Sequence, residues 1–414
     1  MKNQTSTVLH TNSGLSLWKW MVLLLLPIFS WGCFWYIGIP HNLEKALALA
    51  SSVLLLVFFF YFVTKRKNNH FSYGRIIKIF IFLSFISILN ALFYWGQAPW
   101  LTFSAGYGIY IYIYYFVLRE LNVSQNQLFR VQVVFAIIYA ILWVYAISKA
   151  PEVVFGNEEE VGDDRGFFRI SILGFDFICL FYYYSVVKYL NNLKSVKWLI
   201  LTVLSFLLMF ASLSRMVIVT MVICTLLYVL RTKSVKIILL VVLSLALSYG
   251  SIMKNEIVEN MIEINERQSN AESDGIIRSE WGDSFNLFPF HIGTFLFGNG
   301  QDHVASSYGK LSEQWKDQYS YNRSDVGYPG LYVTYGIVPL LLIMLLFGKM
   351  LVQKIPEEYY YYKLFIIHFL IASITTYYFV FWGVSLMMVV YSFERFRIDN
   401  VRKKTVHDGK IYDF

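Results

Sequence analysis

Six charged residues fall where a long apolar chain would leave a membrane: Arg165, Arg169, Arg215, Arg278, Arg323 and Asp325. His291 and His303 lie in the same stretches, and Asp176 sits inside an apolar run. Guanidinium groups offer paired N–H donors that match phosphate oxygens, so several arginines can hold a lipid diphosphate without a metal. Where that diphosphate leaves in a sugar transfer, the same arginines stabilise the charge that develops on it. The acceptor hydroxyl then needs a base, and a carboxylate or a histidine can serve. P-loop, dinucleotide, zinc and EF-hand spacings are absent, and the loop carboxylates lack the Asp-x-Asp spacing of a metal site. Neither a metal nor a cofactor is expected.

Each residue also has a plainer role open to it. Arg215 could snorkel from a turn to the interface. Arg165 and Arg169 could mark the end of a span, and Arg278 could pair with Glu280 or Asp283. Asp325 stands two residues before Gly327 and could start a turn or cap a helix. His291 and His303 read more readily as structural. Asp176 could be the partner of Arg169 or Arg215, although a carboxylate at membrane depth is functional by default.

The elements that must position these groups are membrane spans. The chain has 414 residues, 57% hydrophobic and 15% charged, which is more apolar surface than a soluble protein of this length can hide. Its net charge of +8 could suggest nucleic acid, but the Lys and Arg residues sit in short clusters between apolar runs. That arrangement is the orientation signal of an inner-membrane protein. Cys33, Cys179 and Cys224 all lie within apolar runs and suggest neither a disulfide framework nor a metal site. Trp18 to Ile39 is expected to be an uncleaved first span.

Trp198 to Leu230 is a nearly continuous apolar run of 33 residues with Ser212-Leu213-Ser214-Arg215 at its middle. As one helix it would reach ~50 Å, against a hydrocarbon core of ~30 Å. Lys194 and Lys197 precede it, and Arg231, Lys233 and Lys236 follow it, which asks for both ends on the cytoplasmic side. Two short helices folded back on each other satisfy both demands and put Arg215 at the outer turn. Lys363 to Phe393 repeats the pattern and is expected to turn near Phe381-Trp382-Gly383.

The expectation is an all-α polytopic membrane protein of about twelve spans, near 18–39, 46–64, 76–95, 100–118, 131–148, 169–187, 198–211, 216–230, 236–253, 328–348, 363–378 and 383–394. Residues 1–253 would hold the first nine spans, with a short outer loop at 149–168. Residues 254–327 would form a large, partly helical outer cap, 328–394 the last three spans, and 395–414 a cytoplasmic tail. Both termini would be cytoplasmic. The cap should open with an amphipathic helix at Glu256 to Glu266. The aromatic strings Tyr107–Tyr115, Tyr182–Tyr184 and Tyr359–Tyr362 are expected at the membrane interface.

Four stretches resemble the bacterial O-antigen and capsule repeat-unit polymerases of the Wzy type, which share a superfamily with the O-antigen ligases. Arg169-Ile-Ser-Ile-Leu-Gly174 is similar to that family's Arg…Gly span entry, and Ser212-Leu-Ser-Arg215 to its Ser-Arg hairpin turn. Arg278-Ser-Glu-Trp281 with Leu296-Phe-Gly-Asn-Gly300 resembles its Arg-x-x-Trp and Gly-x-Gly pair. Asp325-Val-Gly-Tyr-Pro-Gly330 with Tyr335-Gly336 resembles the stretch that closes the loop and opens the next span. The likeness covers roughly Arg165 to Pro339. The chain departs from the family at Ser324-Asp325, where many relatives, ligases especially, carry His-Asn.

The resemblance implies an inverting, metal-independent, GT-C-like glycosyltransferase. Its donor would be a growing glycan on undecaprenyl diphosphate, and its acceptor a single repeat unit on the same lipid. It implies that Arg215, Arg169, Arg165 and Arg323 bind the donor diphosphate, that Arg278 joins them and acts with Asp325 at the reacting centre, and that Asp325 positions or deprotonates the acceptor. A chain-length regulator and a flippase would be candidate partners beside the membrane lipid; nucleic acid would not. Two other readings stay open: a ligase that moves finished glycan onto lipid A core, and a non-enzymatic transporter or flippase. A transporter should show inverted repeats and charged or broken helices at the midplane.

Overall fold

In the computed structural model the described residues are 16–65, 72–150, 152–156, 172–210, 215–232, 291–319 and 326–407. They are almost entirely helical, and among them there is no strand, only an isolated bridge between Tyr36 and Phe155. Three helices are long and apolar enough to cross a membrane: His41–Lys65, Ser72–Trp95 and Gln125–Lys149. At 24 or 25 residues each they reach ~36 Å, enough for a hydrocarbon core of ~30 Å. A fourth candidate is a bent pair, Pro99–Ala105 and Tyr107–Glu120, with 69° between its halves. Leu17–Ser30, Val196–Phe210, Arg215–Arg231 and Ile337–Val352 are shorter apolar helices.

Their outer faces carry bare apolar side chains. Val57, Ile141 and Leu341 are 62%, 62% and 59% exposed, in helices whose other faces are fully packed. Water does not tolerate such belts around a bundle, whereas lipid does.

The 33-residue run is divided as its length demands. Val196–Phe210 and Arg215–Arg231 are separate helices, and the junction at 211–214 lies outside the described residues. The second long run breaks earlier than expected. Its helix Tyr361–Ala372 ends six residues short of 378, and a single turn, Tyr378–Phe381, precedes the long helix Gly383–His407. The intervening Ser373-Ile-Thr-Thr376 is rich in hydroxyl and β-branched side chains, which favour turns over helix. The first helix likewise stops at Ser30 rather than running to Ile39.

A group of basic side chains gathers at one end of the bundle, tied to neighbouring segments, while Lys149 lies near Tyr36 away from that group. Lys19 Nζ donates to Leu121 O at 3.0 Å, and Arg395 Nη1 donates to Asn122 Oδ1 at 2.8 Å. Lys78 and Arg119 both lie over the Phe62 ring. Lys363 Nζ donates to Leu351 O, and Arg231 forms a two-pronged pair with Glu357 at 2.8 and 3.3 Å. Lys188, Lys194 and Lys197 follow Tyr184, whose ring meets Tyr361 at the same end.

Most tyrosines of the three strings are buried between helices, while Tyr107, Tyr184, Tyr359 and Tyr360 are partly exposed. Tyr110, Tyr112, Tyr114, Tyr115, Tyr183, Tyr361 and Tyr362 are all at most 2% exposed. Their rings fill the core, and several hydroxyls find partners inside it. Tyr114 Oη donates to Leu23 O at 2.9 Å, and Tyr183 Oη meets His368 Nδ1 at 2.6 Å. The cap is described only over 291–319, where Ile292–Phe297 and Ser307–Tyr319 are helices. Glu256 to Glu266 lies outside the described residues.

Candidate functional site

The first helix ends at Trp31, and the chain then takes four successive left-handed residues, Gly32, Cys33, Phe34 and Trp35, with φ between 55° and 65°. A left-handed residue with a side chain costs ~1–2 kcal/mol, so this turn persists only because its surroundings impose it. Trp31 packs against Phe34, Phe135 and Phe177 at centroid distances of 5.4–5.9 Å. Gly156 N donates to Trp35 O at 2.9 Å, and Ile37 N donates to Val154 O at 3.0 Å. The segment 152–156 thus clamps the turn from outside.

Trp31 and Trp35 form one wall of a cavity of about 270 Å3. Ala105, Gly106, Tyr107 and Gly108, at the bend of the 99–120 pair, form a second wall. Tyr377, Val380 and Phe381 come from the break before the last helix, and Gly330, Thr334 and Tyr335 from the helix Gly327–Tyr335. Gln301 enters from the cap and Ser52 from the helix His41–Lys65. Among the described residues no charged side chain lines it. Several helix breaks among the described residues therefore face one aromatic hollow, away from the group of basic side chains.

Gln301 is held in place by its neighbours. The carboxamide of Gln97 donates to Thr102 Oγ1 at 2.6 Å and to Gln301 O at 2.7 Å. Its oxygen accepts from His303 N at 3.0 Å and from Ser306 Oγ. Asn90 Nδ2 donates to Gly293 O and Gly298 O at 3.0 and 2.8 Å. Gly298-Asn-Gly300, singled out in the sequence, meets the stretch that ends at Gly336. Asn299 N donates to Val333 O at 2.9 Å and Gly300 N to Thr334 O at 3.0 Å. Both glycines have φ near +77°, and a Cβ on Gly298 would lie 2.2 Å from Thr334 O. Only glycine permits so close an approach.

Of the residues expected to do chemistry, Arg165, Arg169, Arg278, Arg323 and Asp325 lie outside the described residues. Arg215 opens the helix that ends at Arg231 in the basic cluster, so its backbone lies ~25 Å away, toward the cavity end. His291 is exposed and stacks on Tyr94 at 4.7 Å. His303 accepts from Ala305 N through Nδ1 at 3.1 Å and so shapes its own turn.

Asp176 is fully buried in the first turn of Phe175–Asn191, three residues after the cavity-lining Leu173. Neither carboxylate oxygen makes a well-formed hydrogen bond among the described residues. The groups facing them are Ser385 and the opening amides of the helix, and the Ser385 hydroxyl itself donates to Trp382 O.

No family model matches this chain. No curated protein matches it either. The cavity residues were missed in the sequence because a Trp or Tyr among 78 aromatic side chains carries no signal of its own. Gly106-Tyr-Gly108 within an apolar run, and Asn90 and Gln97 at the end of one, were the available hints.

Proposed function

We propose that the protein is a membrane glycosyltransferase that joins lipid-linked oligosaccharide repeat units into a polysaccharide, in the manner of the Wzy-type polymerases it resembles. The observation that carries this reading is the placement of the cavity. Among the described residues its lining is uncharged and aromatic, and it opens among helix breaks away from the group of basic side chains. If basic residues mark the cytoplasmic side, the cavity works at the outer face of a bacterial inner membrane, with about twelve spans and both termini inside.

The reaction is a single displacement. An acceptor hydroxyl attacks the anomeric carbon of the donor glycan as the bond to undecaprenyl diphosphate breaks. The hydroxyl proton passes to a base, and the configuration inverts. Arg215, with Arg169, Arg165 and Arg323, takes up the charge on the departing diphosphate. Arg278 and Asp325 act at the reacting centre, Asp325 as base or orienting group. Asp176, His291 and His303 support the site without touching the reacting atoms.

Purified protein supplied with lipid-linked repeat units should yield a ladder of products, and Arg215→Ala should abolish it. A wild-type ladder from Arg215→Ala would overturn the assignment. Lipid A core offered as a competing acceptor separates a ligase, which would modify it and form no ladder.

The broken helices around a cavity also suit a flippase for the same lipid-linked glycan. Proteoliposomes distinguish the two: a flippase moves a labelled unit across the bilayer without lengthening it.

A further inference from the structure

We infer that the cavity is a subsite for a single pyranose ring of the substrate glycan, excluding both its diphosphate and its prenyl chain; this rests on the transferase reading. Three properties of the lining select the occupant. The first is aromatic surface on more than one side: Trp31 and Trp35 from the left-handed turn, Tyr107 from the bend, Tyr377 and Phe381 from the last break. Flat rings suit the C–H faces of a sugar, as they suit any rigid apolar face.

The second property is hydrogen-bonding capacity at the edges. Gln301 brings an amide that already donates to Asp302 Oδ1 at 3.1 Å and keeps a second N–H and its oxygen for a ligand. The hydroxyls of Ser30, Ser52 and Thr334 donate to carbonyls of their own helices, at Pro27, Ala48 and Gly330. Their oxygens keep lone pairs for a ligand hydroxyl. A prenyl chain would leave the remaining amide capacity of Gln301 unmatched, and an unmatched buried polar group costs free energy. A diphosphate needs cations, and none lines the cavity among the described residues.

The third property is size. About 270 Å3 falls just under the ~300–1,000 Å3 typical of pockets for drug-sized ligands, so the hollow itself takes about one ring and a longer glycan must extend out of it. The rest of the glycan must lie outside. A Cβ on Gly106 would stand 3.2 Å from Gln301 Cβ and crowd this edge of the cavity.

Saturation-transfer NMR on the full-length protein in nanodiscs tests this, with a panel of methyl hexosides and methyl N-acetylhexosaminides as probes. At least one glycoside should receive saturation from the wild-type protein. The signal should vanish in Ala105→Trp, which plugs the cavity, and weaken in Gln301→Leu and Thr334→Val. The two milder variants carry the test if the plugged protein fails to fold. The inference is overturned if no glycoside responds, if the response survives these variants, or if undecaprenyl phosphate displaces the glycoside, which would make the cavity a lipid site.

The ladder assay separates the two claims. A cavity-dependent sugar signal without a ladder refutes the transferase and keeps the subsite. A ladder unaffected by Ala105→Trp refutes the subsite and keeps the transferase.

Discussion

At the scale of single residues, glycine does the most decisive work. Gly300 has φ +76°, and a Cβ on it would stand 2.7 Å from Ser87 O and 2.9 Å from Ala91 Cβ. Gly300→Ala is therefore expected to lower stability by at least ~1–2 kcal/mol from backbone strain alone, before any overlap is counted. Thermal unfolding in detergent, followed by tryptophan fluorescence, measures this. The sequence announced these glycines by their spacing, but it could not announce what they approach. Trp35, Tyr107 and Gln301 were illegible for a related reason: their meaning lies in convergence from distant segments, and a period along the chain does not record convergence. The burial of most tyrosines in the strings was not legible, because an apolar face looks the same whether lipid or protein covers it.

At the scale of elements, a few side chains fasten whole segments. Gln97 alone joins the end of Ser72–Trp95 to Thr102, Gln301, His303 and Ser306, and it is buried. Gln97→Ala leaves several buried partners unsatisfied, at ~1–3 kcal/mol for each group that water cannot reach. Hydrogen exchange should rise across 291–319 while the spanning helices stay protected. The Arg231–Glu357 pair is a contrast. It is well formed, yet its side chains are 46% and 53% exposed. Glu357→Gln should therefore change stability by less than ~1 kcal/mol in the same unfolding assay. Element boundaries were legible where length alone forced a break, as in the run around Arg215. They were less so around Ser373, where the break comes from local hydroxyl chemistry rather than from a length limit.

At the scale of the whole molecule, the separation of a basic end from a cavity end makes a prediction about sidedness. In a background lacking Cys33, Cys179 and Cys224, Lys149→Cys should react with a membrane-impermeant maleimide from outside intact cells. Lys194→Cys should react only after the membrane is opened. The reverse pattern would put the cavity in the cytoplasm and remove the case for an outer-face transferase. The helical architecture and the grouping of basic residues were visible from composition and run length. Arg165, Arg169, Arg278, Arg323 and Asp325 lie outside the described residues, and the cavity exists only in three dimensions.

The left-handed turn at Gly32–Trp35 bears on how the protein is made. Its shape depends on residues 152–156 and on Phe135 and Phe177, which a ribosome delivers more than a hundred residues later. The opposite wall needs Val380 and Phe381, close to the end of the chain. A nascent chain thus inserts its first helices long before it can close the hollow they frame. The hollow closes last, when the final helices dock against the first.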